Sequence, residues 1–248
     1  MKKFTSISSD STSRTATAGM GLALLAAALM VGGYYAVSSG ALDIEIGFRL
    51  FLGGVALSLI ALAISLIGMR LTRTAAGRPR ALAGIIVSLL IIAPMTPHIL
   101  AAFSVPPIHD ITTDTDNPPL FVDILPLRAD APNTAEYGRE TLAAIQKAAY
   151  PGIAPLILAV PPAEAFARAQ KIIEARGWTL VTANAAEGRI EATAETKNMH
   201  FKDDVVIRIT AEGEGSKIDM RSVSRFGQSD LGVNAKRITE FLKDMGAS

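Results

Sequence analysis

Three apolar runs, Ala18 to Val37, Phe48 to Met69 and Ala81 to Phe103, decide most of what this chain can become. Each is close to the roughly 20 residues that cross about 30 Å of hydrocarbon at 1.5 Å per residue. In lipid the backbone must satisfy its own hydrogen bonds, so such runs are helices. They predict transmembrane helices over 18–37, 48–69 and 81–103, behind a polar cytoplasmic leader over 1–17 and ahead of an extracytoplasmic domain over 105–248. For the first run a cleaved signal peptide is the alternative, with Lys2 and Lys3 as its charged start. The leader through Thr17 is long for that purpose, and the other two spans hold the chain in either case.

Short loops rich in Lys and Arg stay in the cytoplasm. The leader carries Lys2, Lys3 and Arg14, and the second loop carries Arg70, Arg73, Arg78 and Arg80, whereas the first loop has Asp43 and Glu45. The expected topology is therefore a multi-pass protein of the plasma (inner) membrane with its N-terminus inside and its C-terminal domain outside. Gly32, Gly33, Gly53 and Gly54 suit close helix packing. Arg49 at the entrance to the second span and His98 near the outer end of the third are the candidate ionisable groups within the spans, expected to pack at the interface, and Pro94 and Pro97 are expected to kink the third.

The net charge of +1 conceals two unlike parts. Residues 1–104 hold eight Lys and Arg against three acids, leaving 16 of the 24 bases and 20 of the 23 acids for the rest. An acidic domain without a basic patch argues against nucleic acid as a ligand. No cysteine is present, which removes disulfides, thiolate catalysis and cysteine metal sites.

Beyond the joint Ile108 to Phe121 the pattern is that of a water-soluble domain. A short helix is predicted from Arg139 to Tyr150, a strand over Pro155 to Val160, and a helix from Pro162 to Arg176 closed by Gly177. Two hairpins follow, Trp178 to Ala183 with Arg189 to Glu195, and Asp204 to Ala211 with Lys217 to Arg225. A last helix opens at Ser229 or Asp230 and runs to Met245. The order implies an α+β domain, an antiparallel sheet of about four to five strands with helices on one face. Alternation puts Ile190, Ala192, Ala194, Val205, Ile207, Ile209, Ile218 and Met220 toward the helices. Glu191, Thr193, Glu195, Arg208, Thr210, Asp219, Arg221 and Arg225 fall on the other, solvated face.

Two stretches could carry chemistry. Arg221 to Arg237, RSVSRFGQSDLGVNAKR, joins a strand end to a helix start, where anions bind readily; Asp230 or Ser229 could instead cap that helix. IHDITTDTDNPPLF places His109, Asp110, Asp114 and Asp116 within eight residues. Such oxygens can hold a divalent cation or turn the chain before Pro118. The calcium-loop pattern is missing, and no metal or cofactor is expected.

These stretches, with APN at Ala131 to Asn133 and AAYP at Ala148 to Pro151, resemble the family catalogued as domain of unknown function 1499. The resemblance runs from about Ile108 to the C-terminus. It implies a domain boundary and no activity, substrate or cofactor. Some shorter members have Asn-Cys where this chain has Asn133-Thr134.

The expected function is non-enzymatic binding by an outward-facing domain to a lipid, glycan or protein partner of the envelope. Its candidate ligand-binding residues are His109, Asp110, Asp114, Arg221, Ser224, Arg225, Asp230, Asn234 and Arg237. An envelope hydrolase using His109 and Asp110 with the Arg221 to Arg237 cluster is the second reading, and a structural subunit of a membrane complex the third.

Overall fold

The computed structural model describes residues 9–72 and 75–247. Lys2, Lys3 and Arg73, used above for orientation, lie outside the described residues. The chain forms two compact units, 1–99 and 100–248.

The first unit is built from α1 (Ser9–Ser38), α2 (Ile44–Leu71) and all but the last turn of α3 (Gly77–Ser104). All three are long and apolar enough to cross a membrane. All three extend beyond the apolar runs, because Ser, Thr and charged residues at their ends continue the helical hydrogen bonding; residues 9–17 of the leader are helical. Pro94 and Pro97 lie inside α3, which remains one continuous helix. Glycine sets the approach of α1 and α2: a Cβ on Gly54 would stand 2.6 Å from the Ala26 carbonyl oxygen and 2.7 Å from the Met30 nitrogen.

The second unit is an α+β domain. Its strands are β1 (Asp110–Thr112), β2 (Leu156–Leu158), β3 (Thr179–Asn184), β4 (Arg189–Glu195), β5 (Lys202–Glu212) and β6 (Gly215–Ser224), all antiparallel. Helix α4 (Arg139–Ala149) precedes β2, α5 (Pro162–Ala175) follows it, and α6 (Val233–Ala247) closes the chain. The strand order is β1-β6-β5-β4-β3, with β2 also on β6. Strand β1 takes Arg221 to Val223 and β2 takes Ser216 to Ile218, so two short strands share one edge position. The six strands thus fill five positions. Strand β1 was not foreseen, because three residues are too few for a period. Its outer edge is closed by Gln146 of α4, whose amide donates to the Thr112 carbonyl (2.7 Å) and accepts the Thr112 N–H (3.0 Å).

The predicted core set faces α5 and α6 and is buried around Phe166, Ile173, Ile238 and Phe241. Trp178 stacks on Phe241 at 5.9 Å between ring centroids. Gly177, at φ +67°, takes the left-handed conformation that ends α5.

The opposite face is solvated only at its rim, at Glu195 and Thr210, and its centre is covered, contrary to expectation. The segment 113–137 lies over it as a strap. Phe121 and Ile124 of the strap pack on Val206 and Val223. Glu191, Asp204, Asp219 and Arg221 beneath it are at most 1% exposed.

Candidate functional site

A buried charge survives only if its hydrogen bonds are replaced. The strap supplies the replacements in separate clusters. Arg221 donates from Nε and Nη2 to the two oxygens of Asp110 at 2.9 and 2.7 Å, the fork geometry a guanidinium provides and an ammonium does not. Its remaining donors reach the carbonyls of Ala135 (2.8 Å) and Pro119 (3.4 Å). Phe121 and Tyr137 flank it, their ring centroids 5.2 and 5.3 Å from the guanidinium carbon.

Beside it, Asp204 binds Arg225 through two bonds of 2.8 Å and Arg128 at 3.0 Å, and accepts the Thr193 hydroxyl at 2.8 Å. Arg225 donates onward to the Leu127 carbonyl (2.7 Å). Burial pushes the Arg128 guanidinium below its ordinary pKa, while Asp204 pulls it back up. Glu191 accepts the backbone N–H groups of Val122 and Ile124, each at 2.8 Å.

Asp114 closes a turn. One oxygen accepts the Asn117 and Asp116 N–H groups, and the other faces Arg208 (3.3 Å) and Lys217 (3.5 Å). Burial raises this carboxyl, but those hydrogen bonds and Lys217 outweigh it, so its pKa lies below the ordinary value. Among the described residues, no three His, Asp or Glu come together as metal ligands would.

The other candidates occupy the helix side of the sheet. Asn234 on α6 accepts the Ser222 hydroxyl (2.6 Å) and donates to Ser224 Oγ (2.9 Å) and the His109 carbonyl (3.0 Å). Arg237 donates to Ser222 Oγ (3.0 Å) and pairs with Asp203. Asp230 caps α6 by accepting the Gly232 and Asn234 N–H groups at 2.8 and 2.7 Å. Burial raises its pKa against those two bonds.

The nine candidates thus divide. Asp110 and Arg221 meet directly, and Arg225 lies on the same face through Asp204. Ser224, Asn234 and Arg237 form a second group behind the sheet, with Asp230 at its helix start. The ring of His109 faces the Gln228 carbonyl at 3.3 Å, and neither Ser222 nor Ser224 is bonded to it. A serine nucleophile needs its base within hydrogen-bond reach, and these serines are bonded to Asn234 instead.

Open space lies elsewhere, in a cleft of about 770 Å³ between the strap and α4. Leu120, Pro118, Ala135, Ala143 and Ala144 form its apolar part, and Asp116, Glu136, Glu140 and Lys147 its charged rim. Lys147 pairs with Asp116 at 3.2 Å. Tyr137 also lines it, with a buried hydroxyl that has no hydrogen-bond partner among the described residues. Sequence reasoning missed this cleft and the buried partners Arg128, Asp204 and Glu191. The available signal was that Val206 and Val223 share the parity of Arg208 and Arg221.

Burial, aided by the Asp110 carboxylate, pushes the Tyr137 phenol up from 10 to about 12. The folded state then holds a proton that the unfolded chain releases above 10, so stability falls as pH rises from 10 through about 12. Tyr137→Phe should flatten that fall in urea-denaturation midpoints. At pH 7 it should change stability by less than about 1 kcal/mol, since no hydrogen bond is lost. An unchanged alkaline profile would contradict the assignment.

The geometry can be set beside known proteins. The model of one family, described as protein of unknown function (DUF1499), matches residues 110–245. The chain belongs to this family. No curated protein matches the chain. The family's span starts at the first residue of β1 and ends within α6, so it takes in the sheet, the strap and both polar groups. The stretches that carried the resemblance supply the buried network: Asp110, Arg221, Arg225 and Asn234, with Asn133, whose amide donates to the Ser224 and Gly227 carbonyls at 3.0 and 2.8 Å.

Proposed function

We propose that the protein is a membrane-anchored binding module, non-enzymatic, whose DUF1499 domain faces the outer side of the plasma membrane. Three apolar helices support the anchor, and the arginines of the second loop support the orientation. A reporter that is active only outside the cytoplasm, fused after Ser248, should be active. Activity of a cytoplasm-only reporter at that position would refute the orientation.

The observation that carries the binding reading is the contrast between the charged groups and the open space. The candidate carboxylates and guanidiniums are bonded to one another inside the fold, and the cleft beside Tyr137 is apolar with an acidic rim. Lys147 is paired to Asp116, so Glu136 and Glu140 leave the rim net negative. That lining fits an amphipathic envelope molecule with a basic head group, its chain against Leu120 and the alanines.

A photoreactive alkylamine added to membranes holding the full chain should label peptides 115–120 and 135–147. Glu136→Gln with Glu140→Gln should reduce that labelling about tenfold, two exposed charges being worth up to about 1 kcal/mol each. Equal labelling by an alkyl carboxylate of the same length would rule the reading out.

A further inference from the structure

The strap has a second property, which shares only Leu120 with the cleft. Within Leu120 to Leu127, Phe121 and Ile124 turn inward. Leu120, Val122, Leu125 and Leu127 turn outward, with 69, 49, 45 and 57% of their surfaces exposed. Four large apolar side chains exposed within eight residues form a patch, not the scattered leucines of an ordinary surface. Leu120 borders one groove with Leu125 and another with Val122, and Leu127 follows Leu125 in the same short turn, Leu125–Arg128. The strap cannot turn them in, because Glu191 holds the N–H groups of Val122 and Ile124 and Arg225 holds the Leu127 carbonyl.

We propose that this outer face of the strap is a lipid-docking surface, with Leu120, Val122, Leu125 and Leu127 seated in the interfacial layer of the bilayer that α1 to α3 cross. Continuity argues for lipid over other occupants. The unit 100–248 itself begins on exposed apolar residues, Leu100 and Phe103, at the end of α3. The strap begins about ten residues after Phe103, so the bilayer is present at an effective concentration no diffusing partner has.

Charge narrows the lipid. Asp123, the one charged residue among the four, is paired with Arg189 at 2.8 Å, and Arg128 is turned inward. Arg189 also pairs with Glu187 and Glu191, so the patch has no basic face of the kind that anionic lipid recruits, and it suits zwitterionic head groups. This inference rests on the membrane reading of α1 to α3, and its test reads Leu125 and Leu127, which do not line the cleft.

The absence of cysteine makes the test direct. Leu125→Cys and Leu127→Cys, each labelled with an environment-sensitive fluorophore, are placed in phosphatidylcholine vesicles as the full chain. Leu89→Cys in α3 and Glu214→Cys in the β5–β6 turn serve as the lipid and water references. Nitroxide-bearing phosphatidylcholine should quench the labels at 125 and 127 at least about threefold more than the one at 214, as an interfacial depth of 5–10 Å requires.

Labels at 125 and 127 that behave like the one at 214, with the one at 89 quenched, overturn the docking surface and leave the membrane reading standing. A label at 89 that is not quenched overturns both. Labels at 125 and 127 shielded from aqueous iodide yet unquenched by lipid would mean that a protein, such as a second copy, covers the strap, which also overturns the proposal.

Discussion

Replacing Arg221 by methionine is expected to cost the C-terminal domain about 3–5 kcal/mol, because Asp110 is left as an unpaired buried charge. Against the 5–15 kcal/mol that holds a typical domain, that is a large share. Arg221 is 1% exposed, and all of its visible partners are internal: Asp110, two strap carbonyls and two aromatic rings. Arg221→Lys should be nearly as damaging, since an ammonium cannot bridge both Asp110 oxygens while filling the gap between Phe121 and Tyr137. Asp110→Asn combined with Arg221→Met should recover part of the loss by removing both charges. The chain's single tryptophan, Trp178, sits against the domain core and reports unfolding of the full chain in micelles. A shift below about 1 kcal/mol for Arg221→Met would mean that the pair is not desolvated as described.

Asp204→Asn is expected to loosen the strap as well as the fold. Asp204 is fully buried and is the shared anion of Arg128 and Arg225, so its neutralisation leaves two guanidiniums facing each other. A loss of about 3 kcal/mol or more follows from breaking a buried pair. If about 3 kcal/mol of it falls on local opening, amides of the strap should exchange about a hundredfold faster, since each 1.4 kcal/mol is tenfold. The Val122 and Ile124 amides, held by Glu191, are the ones to watch. Thr193→Val, which removes only one 2.8 Å bond to Asp204, should cost about 1 kcal/mol and leave exchange in the strap near its original rate. Equal effects of the two substitutions would show that Asp204 does not act as the shared anion.

Period and length made much of this fold legible. Twenty-residue apolar runs have one solution in lipid, and alternation in β4, β5 and β6 placed Ile190, Val205, Ile207 and Met220 correctly against the helices. On the other face alternation points the charged Glu191, Asp219 and Arg221 toward water, and there the structure differs. Their partners lie roughly 70 to 110 positions away in the strap and β1, and nothing local in the sequence reports that separation. What Val206 and Val223 signal is the cover itself: apolar residues at both parities mark a sheet covered on both sides.

None of the nine residues proposed from sequence lines the cleft, and their bonds to one another were not legible in the sequence. Asp110 and Arg221 were both singled out, and the structure joins them to each other. Asn234 and Arg237 were sought around an anion and are found around Ser222 and Asp203. Irregular backbone has no period, so the path of the strap, and with it the cleft at Tyr137, could not be traced from sequence.

The pairing of β1 with β6 also sets a timetable. Asp110 lies opposite Val223, the first strand of the domain beside the last. Closing so long a loop is slow and is rewarded only at the end. A ribosome must therefore deliver nearly the whole chain before Arg221 exists to meet Asp110. Until then the strap has no complete sheet to lie on, and its four outward hydrophobic side chains are accompanied by Phe121 and Ile124, still unburied. For a nascent chain on its way to a membrane, residues 105–220 are the interval in which holding factors have most to protect.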